Sequence, residues 1–93
     1  MITNDQQKVI KEILAPFEPL EIGIFGSYAR GENSDSSDLD ILVQFGKRLN
    51  LFDLIDLEVK LSEALGIKVD LVTRNALSPF IKEFIEKDLR KIA

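Results

Sequence analysis

The chain contains no cysteine, no histidine and no tryptophan, and one tyrosine. Without cysteine there is no disulfide, no thiolate nucleophile and no Cys-based zinc site. Without histidine there is no Ser-His-Asp triad, no imidazole base and no His-ligated metal. Any catalysis must therefore rest on carboxylates, Lys, Arg, hydroxyls or a hard metal ion. Cations are also the minority charge, 12 Lys and Arg against 16 Asp and Glu, for a net charge of −4. That balance disfavours a general affinity for DNA, RNA or anionic membrane. There is no apolar run long enough to span a bilayer and no signal-peptide pattern at Met1–Glu12, so a cytoplasmic, membrane-free protein is expected.

What is present suits one folded unit. The 93 residues predict a single domain, residues 1–93, with one core. Leu, Ile, Val and Phe contribute 13, 11, 5 and 6 residues, well above the level at which chains stay disordered. The first helix is predicted from about Asn4 to Ala15, capped by Thr3 or Asn4, with Val9, Ile10, Ile13 and Leu14 as its apolar stripe. Pro16 and Pro19 bracket a turn before a buried strand, Leu20–Phe25. A polar Gly- and Ser-rich stretch, with a helical turn at Ser27–Arg30, leads to a second strand at Asp38–Phe45. Asn50 caps a helix over Leu51–Leu65 that stops at Gly66. Ile67–Thr73 is a third strand, and Ser78-Pro79 opens a last amphipathic helix. Its stripe of Phe80, Ile81, Phe84, Ile85 and Leu89 is expected to be core rather than interface, with Lys87, Arg90 and Lys91 at its negative end. The order α-β-(short α)-β-α-β-α predicts an α/β (α+β) fold, a small sheet covered by helices largely on one face.

Chemistry concentrates around the second and third strands. Side chains alternate along a strand, so Asp38 and Asp40 share a face, with Cα atoms about 6.6–7 Å apart. Leu39, Ile41, Val43 and Phe45 take the other face, and on the third strand Asp70 opposes Val69 and Leu71. If the strands pair with Asp70 beside the first two acids, three carboxylates meet. Their repulsion raises at least one pKa unless a cation intervenes. All-oxygen ligands favour Mg²⁺ or Mn²⁺ over Zn²⁺, and Mg²⁺ held by few carboxylates keeps positions for substrate phosphates. A nucleoside triphosphate and a pair of ions about 3.5–4 Å apart follow as the expected ligands. Gly26-Ser27, ending the first strand, offers a close backbone approach and a hydroxyl to a phosphate. Arg30 and Lys68 add charge to phosphate or pair with nearby acids.

Each signal has a plain structural reading: a Gly-Ser turn, a solvated strand edge, or a salt bridge. Asp70 inside an apolar strand is the least ordinary, because Asp is depleted in strands. Gly26–Gly31 has Walker spacing but Glu32 and Asn33 where Lys and Ser or Thr are required, and Asn33–Asp40 lacks the Gly and Glu of a calcium loop.

Gly26-Ser27, ten intervening residues, and then Asp38-Leu39-Asp40 resembles the signature of the minimal nucleotidyltransferases of the DNA polymerase β superfamily. The string GSYARGENSDSSDLDILV and the VDLV of Val69–Val72 resemble the same small proteins, and the likeness spans essentially the whole chain. The resemblance implies a mixed sheet flanked by helices. It implies that Asp38 and Asp40 bridge two Mg²⁺ ions (Mn²⁺ as substitute), and that Asp70 holds the ion activating the acceptor hydroxyl. It further implies that Gly26 and Ser27 cradle the β and γ phosphates of ATP, with Arg30 either on phosphate or in a salt bridge. Such proteins are commonly paired with a helical HEPN-domain RNase toxin. The implied activity is antitoxin action by AMP transfer from ATP to a toxin tyrosine within a hetero-oligomer, a protein acceptor fitting the −4 charge better than nucleic acid does. The alternatives are a non-catalytic antitoxin that neutralises its partner by stoichiometric binding, and a nucleotidyltransferase with another acceptor, for which no recognition elements stand out. Tyr28 is expected to pack rather than stack on a nucleotide.

Overall fold

Thr3 starts the chain's first helix by a reciprocal cap. Its hydroxyl accepts the Gln6 N–H at 3.1 Å while its own N–H donates to Gln6 Oε1 at 2.8 Å. In the computed structural model, which describes all residues Met1–Ala93, this helix is α1 (Asn4–Leu14). A 3₁₀ turn over Ala15–Phe17 and a left-handed Glu18 (φ 54°) redirect the chain into β1 (Pro19–Phe25). The short α2 (Gly26–Arg30) follows, then β2 (Leu39–Phe45), α3 (Leu51–Leu65), β3 (Val69–Thr73), α4 (Pro79–Asp88) and β4 (Arg90–Lys91). The predicted caps of α3 are present: Asn50 and Asp53 form a reciprocal box, and Gly66 ends the helix at φ 67°.

The four strands make one mixed sheet in the order β3-β2-β1-β4. The pair β1–β2 is antiparallel and β2–β3 is parallel, with α3 as the crossover that a parallel pair requires. Ile22 and Ile24 of β1, Leu39, Ile41 and Val43 of β2, and Val69 of β3 are fully or nearly fully buried against Ile10 and Leu14 of α1 and Leu57 and Leu61 of α3. The opposite face carries Glu21, Gly23, Asp40, Leu42 and Asp70, and α4 packs over its β1 side. A Cβ at Gly23 would stand 2.5 Å from Leu89 Cδ1, so the missing side chain is what lets Leu89 lie on the strand.

As an edge strand, β3 has N–H groups that no neighbouring strand accepts. Two side chains of α3 take them: Val69 N–H donates to Ser62 Oγ at 2.9 Å, and Leu71 N–H donates to Glu58 Oε2 at 2.8 Å. These bonds block strand addition and fix the backbone on either side of Asp70.

Two expectations are corrected. The last helix stops at Asp88, and Leu89, Arg90 and Lys91 are not its final turn. Along the free edge of β1, Ile22 N–H donates to the Ala93 carbonyl (3.0 Å) and its own carbonyl accepts Ile92 N–H (2.9 Å). Satisfying those edge groups outweighs one more turn of helix, and Ile92 joins the core. Secondly, the stripe of α4 is not core. Phe80, Ile81 and Phe84 are 82%, 53% and 66% exposed, and Ile85 alone is buried.

Glu21 ties the late elements to the sheet. Arg74 grips both oxygens of its carboxylate, the Nη2–Oε2 bond being 3.1 Å, while Lys91 Nζ reaches Oε2 at 3.1 Å and Arg74 Nη1 reaches Glu86 of α4 at 3.2 Å. The Arg74 hydrogen bonds, against the opposing effect of burial and with help from Lys91, hold the Glu21 carboxyl down at about 2. An acid with a depressed folded-state pKa stabilises the fold above its ordinary value and loses that contribution as pH falls. Glu21→Gln is expected to lower the unfolding free energy at pH 7 by on the order of 1–3 kcal/mol. In urea titrations across pH, the gap between variant and wild type should close from 4.5 down to about 2.

Candidate active site

Gly26 sits where β1 ends beside the start of β2, because Phe25 pairs with Asp40 across the antiparallel ladder. Its φ of +73° suits glycine, and a Cβ there would lie 2.2 Å from Asp40 Oδ2. A side chain here would force the Asp40 carboxyl aside and strain the positive-φ backbone. The chain then winds through Ser27 into α2, where the Ser27 carbonyl accepts Glu32 N–H at 2.9 Å and closes the turn.

The parallel register sets Asp40 directly against Asp70, side by side on one face at the roughly 4.8 Å spacing of neighbouring strands. Asp38 lies just before β2, and Leu39 N–H donates to the Lys68 carbonyl at 2.8 Å, joining the entries of the two strands. Asp38 and Asp70 are exposed, whereas Asp40 is half-buried beneath Gly26. The Asp40 carboxyl is pushed up from its ordinary 3.8 by burial first, then by the charges of Asp70 and Asp38, with Arg30 opposing. All three predicted acids therefore act on one locality. They do not close into a compact ligand cage, for no three acidic side chains are gathered tightly enough to hold a metal by themselves. The separation accords with like charges that repel. An all-oxygen, strongly acidic donor set beside a backbone stripped of side chain fits a hard divalent cation that also takes water and phosphate oxygens.

The predicted cationic residues have divided roles. Arg30 donates from Nε to Glu32 at 2.9 Å and from Nη1 to Asp88 of α4 at 2.7 Å, so the salt-bridge reading describes its contacts. Its charge still lowers the Asp40 pKa. Lys68 Nζ stands 3.8 Å from Asp38 Oδ2, an exposed pair of little energetic weight. Tyr28 is half-buried and packs on the core, as expected. Sequence reasoning missed the residues that position the site, Ser62 and Glu58 behind β3 and Asp88 behind Arg30. Their hydrogen-bond partners lie 7 to 58 residues away, and no local pattern marks them.

Comparison with known proteins identifies the family. The family model described as the nucleotidyltransferase domain matches residues 7–92. A Methanocaldococcus jannaschii protein, provisionally named a protein adenylyltransferase, is 45% identical over 89 residues, covering 95% of this chain and 88% of its own. Protein adenylyltransferase MntA of Thermococcus cleftensis is 42% identical over 79 residues, covering 85% and 80%. A crystal structure of a toxin-antitoxin with AMP-PNP superposes with a TM-score of 0.85 at 27% identity, over 94% of this chain and 72% of that one. The chain belongs to the nucleotidyltransferase domain family. Its mixed sheet and flanking helices are the arrangement expected of that family.

Two outcomes test the site. Gly26→Ala is expected to leave a folded protein that binds ATP poorly, because both the positive φ and Asp40 must yield; calorimetric titration with AMP-PNP measures it. Asp40→Asn is expected to raise the thermal midpoint by a few degrees in EDTA at pH 7, since a raised carboxyl pKa costs stability once the group ionises. That gain should fade as pH falls toward 3.8 and be absent below it, and it should shrink when Mg²⁺ stabilises the wild type.

Proposed function

We propose that this nucleotidyltransferase moves AMP from ATP to a hydroxyl of a partner protein, and so acts as an antitoxin. The observation that carries the reading is the register that puts Asp70 beside Asp40, with Asp38 two residues upstream and Gly26 against the pair. Asp38 and Asp40 would hold two Mg²⁺ ions, Mn²⁺ serving as substitute, and Asp70 would hold the one nearer the acceptor. Ions held there would supply positive charge against the phosphate oxygens and the acceptor oxygen. Gly26 and Ser27 orient the β and γ phosphates through backbone N–H and hydroxyl donors, leaving the α-phosphorus toward the carboxylates. The acceptor hydroxyl gives up its proton to solvent as its oxygen bonds to that phosphorus, the bond to the bridging oxygen breaks, and pyrophosphate departs. Arg30, held by Glu32 and Asp88, contributes its field at Asp40 and stiffens α2.

The acceptor we favour is a tyrosine on a helical HEPN-type RNase toxin, met in the cytoplasm as a hetero-oligomer. The names of the relatives support a protein acceptor, the nucleotide analogue in the toxin-antitoxin structure supports ATP as donor, and a net charge of −4 suits a protein acceptor better than nucleic acid. The tyrosine and the HEPN partner come from the family resemblance. Neutralisation by binding alone is the second reading, favoured by the exposed apolar face of α4.

One assay separates them. With labelled ATP, Mg²⁺ and the partner, wild type is expected to add the mass of AMP to the partner. Asp38→Asn, Asp40→Asn and Asp70→Asn are each expected to slow transfer on the order of 100-fold or more, and EDTA to stop it. Neutralisation that persists without label, or Asn variants as active as wild type, would overturn the catalytic reading.

A further inference from the structure

Of the three acids, Asp70 has the least around it. It stands on β3, an edge strand with a neighbouring strand on one side only. Its side chain is exposed, whereas Asp40 is confined beneath Gly26 and Asp38 has Lys68 Nζ at 3.8 Å. The place of Asp70 beside Asp40 therefore depends on how firmly the backbone of β3 is held.

Parity along the strand shows what holds it. Successive N–H groups of a strand point to alternate edges. Those of Val69 and Leu71 point away from β2 and meet Ser62 Oγ at 2.9 Å and Glu58 Oε2 at 2.8 Å, so that of Asp70 points into the ladder with β2. The spacings match. Glu58 and Ser62 are four residues apart on α3, a rise of about 6 Å, and the two N–H groups are two strand residues apart, about 6.6 Å. Because α3 runs back along β3, the earlier helix residue meets the later strand residue. Ser62 Oγ also donates to the Glu58 carbonyl at 2.8 Å, which fixes the hydroxyl proton and leaves its lone pairs for Val69. A neutral oxygen is enough for that bond. At Leu71 the acceptor is instead a carboxylate, which makes the stronger, charge-assisted bond but adds a further negative charge to the strand that carries Asp70. A cation at the acids offsets that cost.

We infer that Glu58, assisted by Ser62, is a positioning residue for the Asp70 carboxylate and so sets the affinity of the folded protein for a divalent cation. The inference rests on the proposed role of Asp70 as a ligand of the ion nearer the acceptor. Without the Glu58 oxygen, the part-buried Leu71 N–H has no partner and the outer side of β3 is released just after Asp70. The carboxylate then loses its fixed place beside Asp40. Ligands whose supporting hydrogen bonds are cut typically lose metal affinity about 10–100-fold.

The experiment measures binding of the second Mn²⁺ to the protein–AMP-PNP complex, from the electron paramagnetic resonance signal of free Mn²⁺, and the thermal midpoint in EDTA. Wild type is compared with Glu58→Leu, Glu58→Gln, Ser62→Ala and Asp70→Asn. Asp70→Asn and Glu58→Leu are each expected to raise the Mn²⁺ dissociation constant on the order of tenfold, and Ser62→Ala to raise it by less. Glu58→Gln keeps an oxygen for the Leu71 N–H and is expected to bind Mn²⁺ close to wild type. A Glu58→Leu protein with a lowered thermal midpoint but wild-type Mn²⁺ affinity overturns the positioning role, since strand stability alone then accounts for the bond. Glu58→Gln binding as weakly as Glu58→Leu overturns it as well. If Glu58→Leu does not fold, Ser62→Ala decides by the same rule. Asp70→Asn with wild-type Mn²⁺ affinity is a different result: Asp70 is then no ligand, and that part of the proposed function falls together with the positioning role.

Discussion

Two acids stand side by side on this sheet because their apolar neighbours have nowhere else to go. Leu39 and Ile41 flank Asp40, Val69 and Leu71 flank Asp70, and Leu39, Ile41 and Val69 are between 0% and 2% exposed. Burial of each such side chain stabilises the fold by roughly 1.5–3 kcal/mol. Repulsion between two carboxylates about 5 Å apart is on the order of 1 kcal/mol when solvent screens it and about 3 kcal/mol where, as at Asp40, one is half-buried. Burial therefore wins. Slipping the register by one residue would separate the acids but turn the apolar set to water. The fold holds a cluster of like charges that it would not form on electrostatic grounds, and a cation is the group that relieves it.

Everything around the acids secures that register. Ser62 and Glu58 occupy the N–H groups on either side of Asp70, so β3 neither slides nor recruits another strand. Gly26 closes over Asp40 with no Cβ between them, which half-buries one acid while Asp38 and Asp70 stay in water. The three carboxyls are thus unequal in exposure, and burial pushes the Asp40 carboxyl up from its ordinary value. At the far edge, Glu21 binds Arg74 and Lys91 and thereby attaches β4 to the sheet. The same Arg74 reaches Glu86, so the helix that flanks the acids is fastened by charge more than by packing.

This division of labour suits a nucleotidyltransferase of small size. The face covered by α1 and α3 supplies stability, and on the other face Asp70 stays exposed and Asp40 half-buried.

Much of this was legible from residue order. Reciprocal caps at Thr3 and Asn50, the stop at Gly66 and the alternation that sets Asp38 and Asp40 apart from Leu39 and Ile41 are local, and local geometry follows from neighbours in sequence. The aim of the apolar stripe on α4 was not legible, because a periodic pattern shows that a helix has a face without showing what covers it. The short β4 was hidden for a related reason. Leu89, Arg90 and Lys91 continue the helical pattern, and only the unpaired edge of β1 makes an extended chain the better solution there. By itself the sequence determined the helices, the three main strands and the chemical character of the acids. The pairing of Asp40 with Asp70, the closing of Gly26 over Asp40 and the exposure of Phe80, Ile81 and Phe84 were decided by tertiary structure, since each depends on groups that the chain brings together only when the sheet has formed.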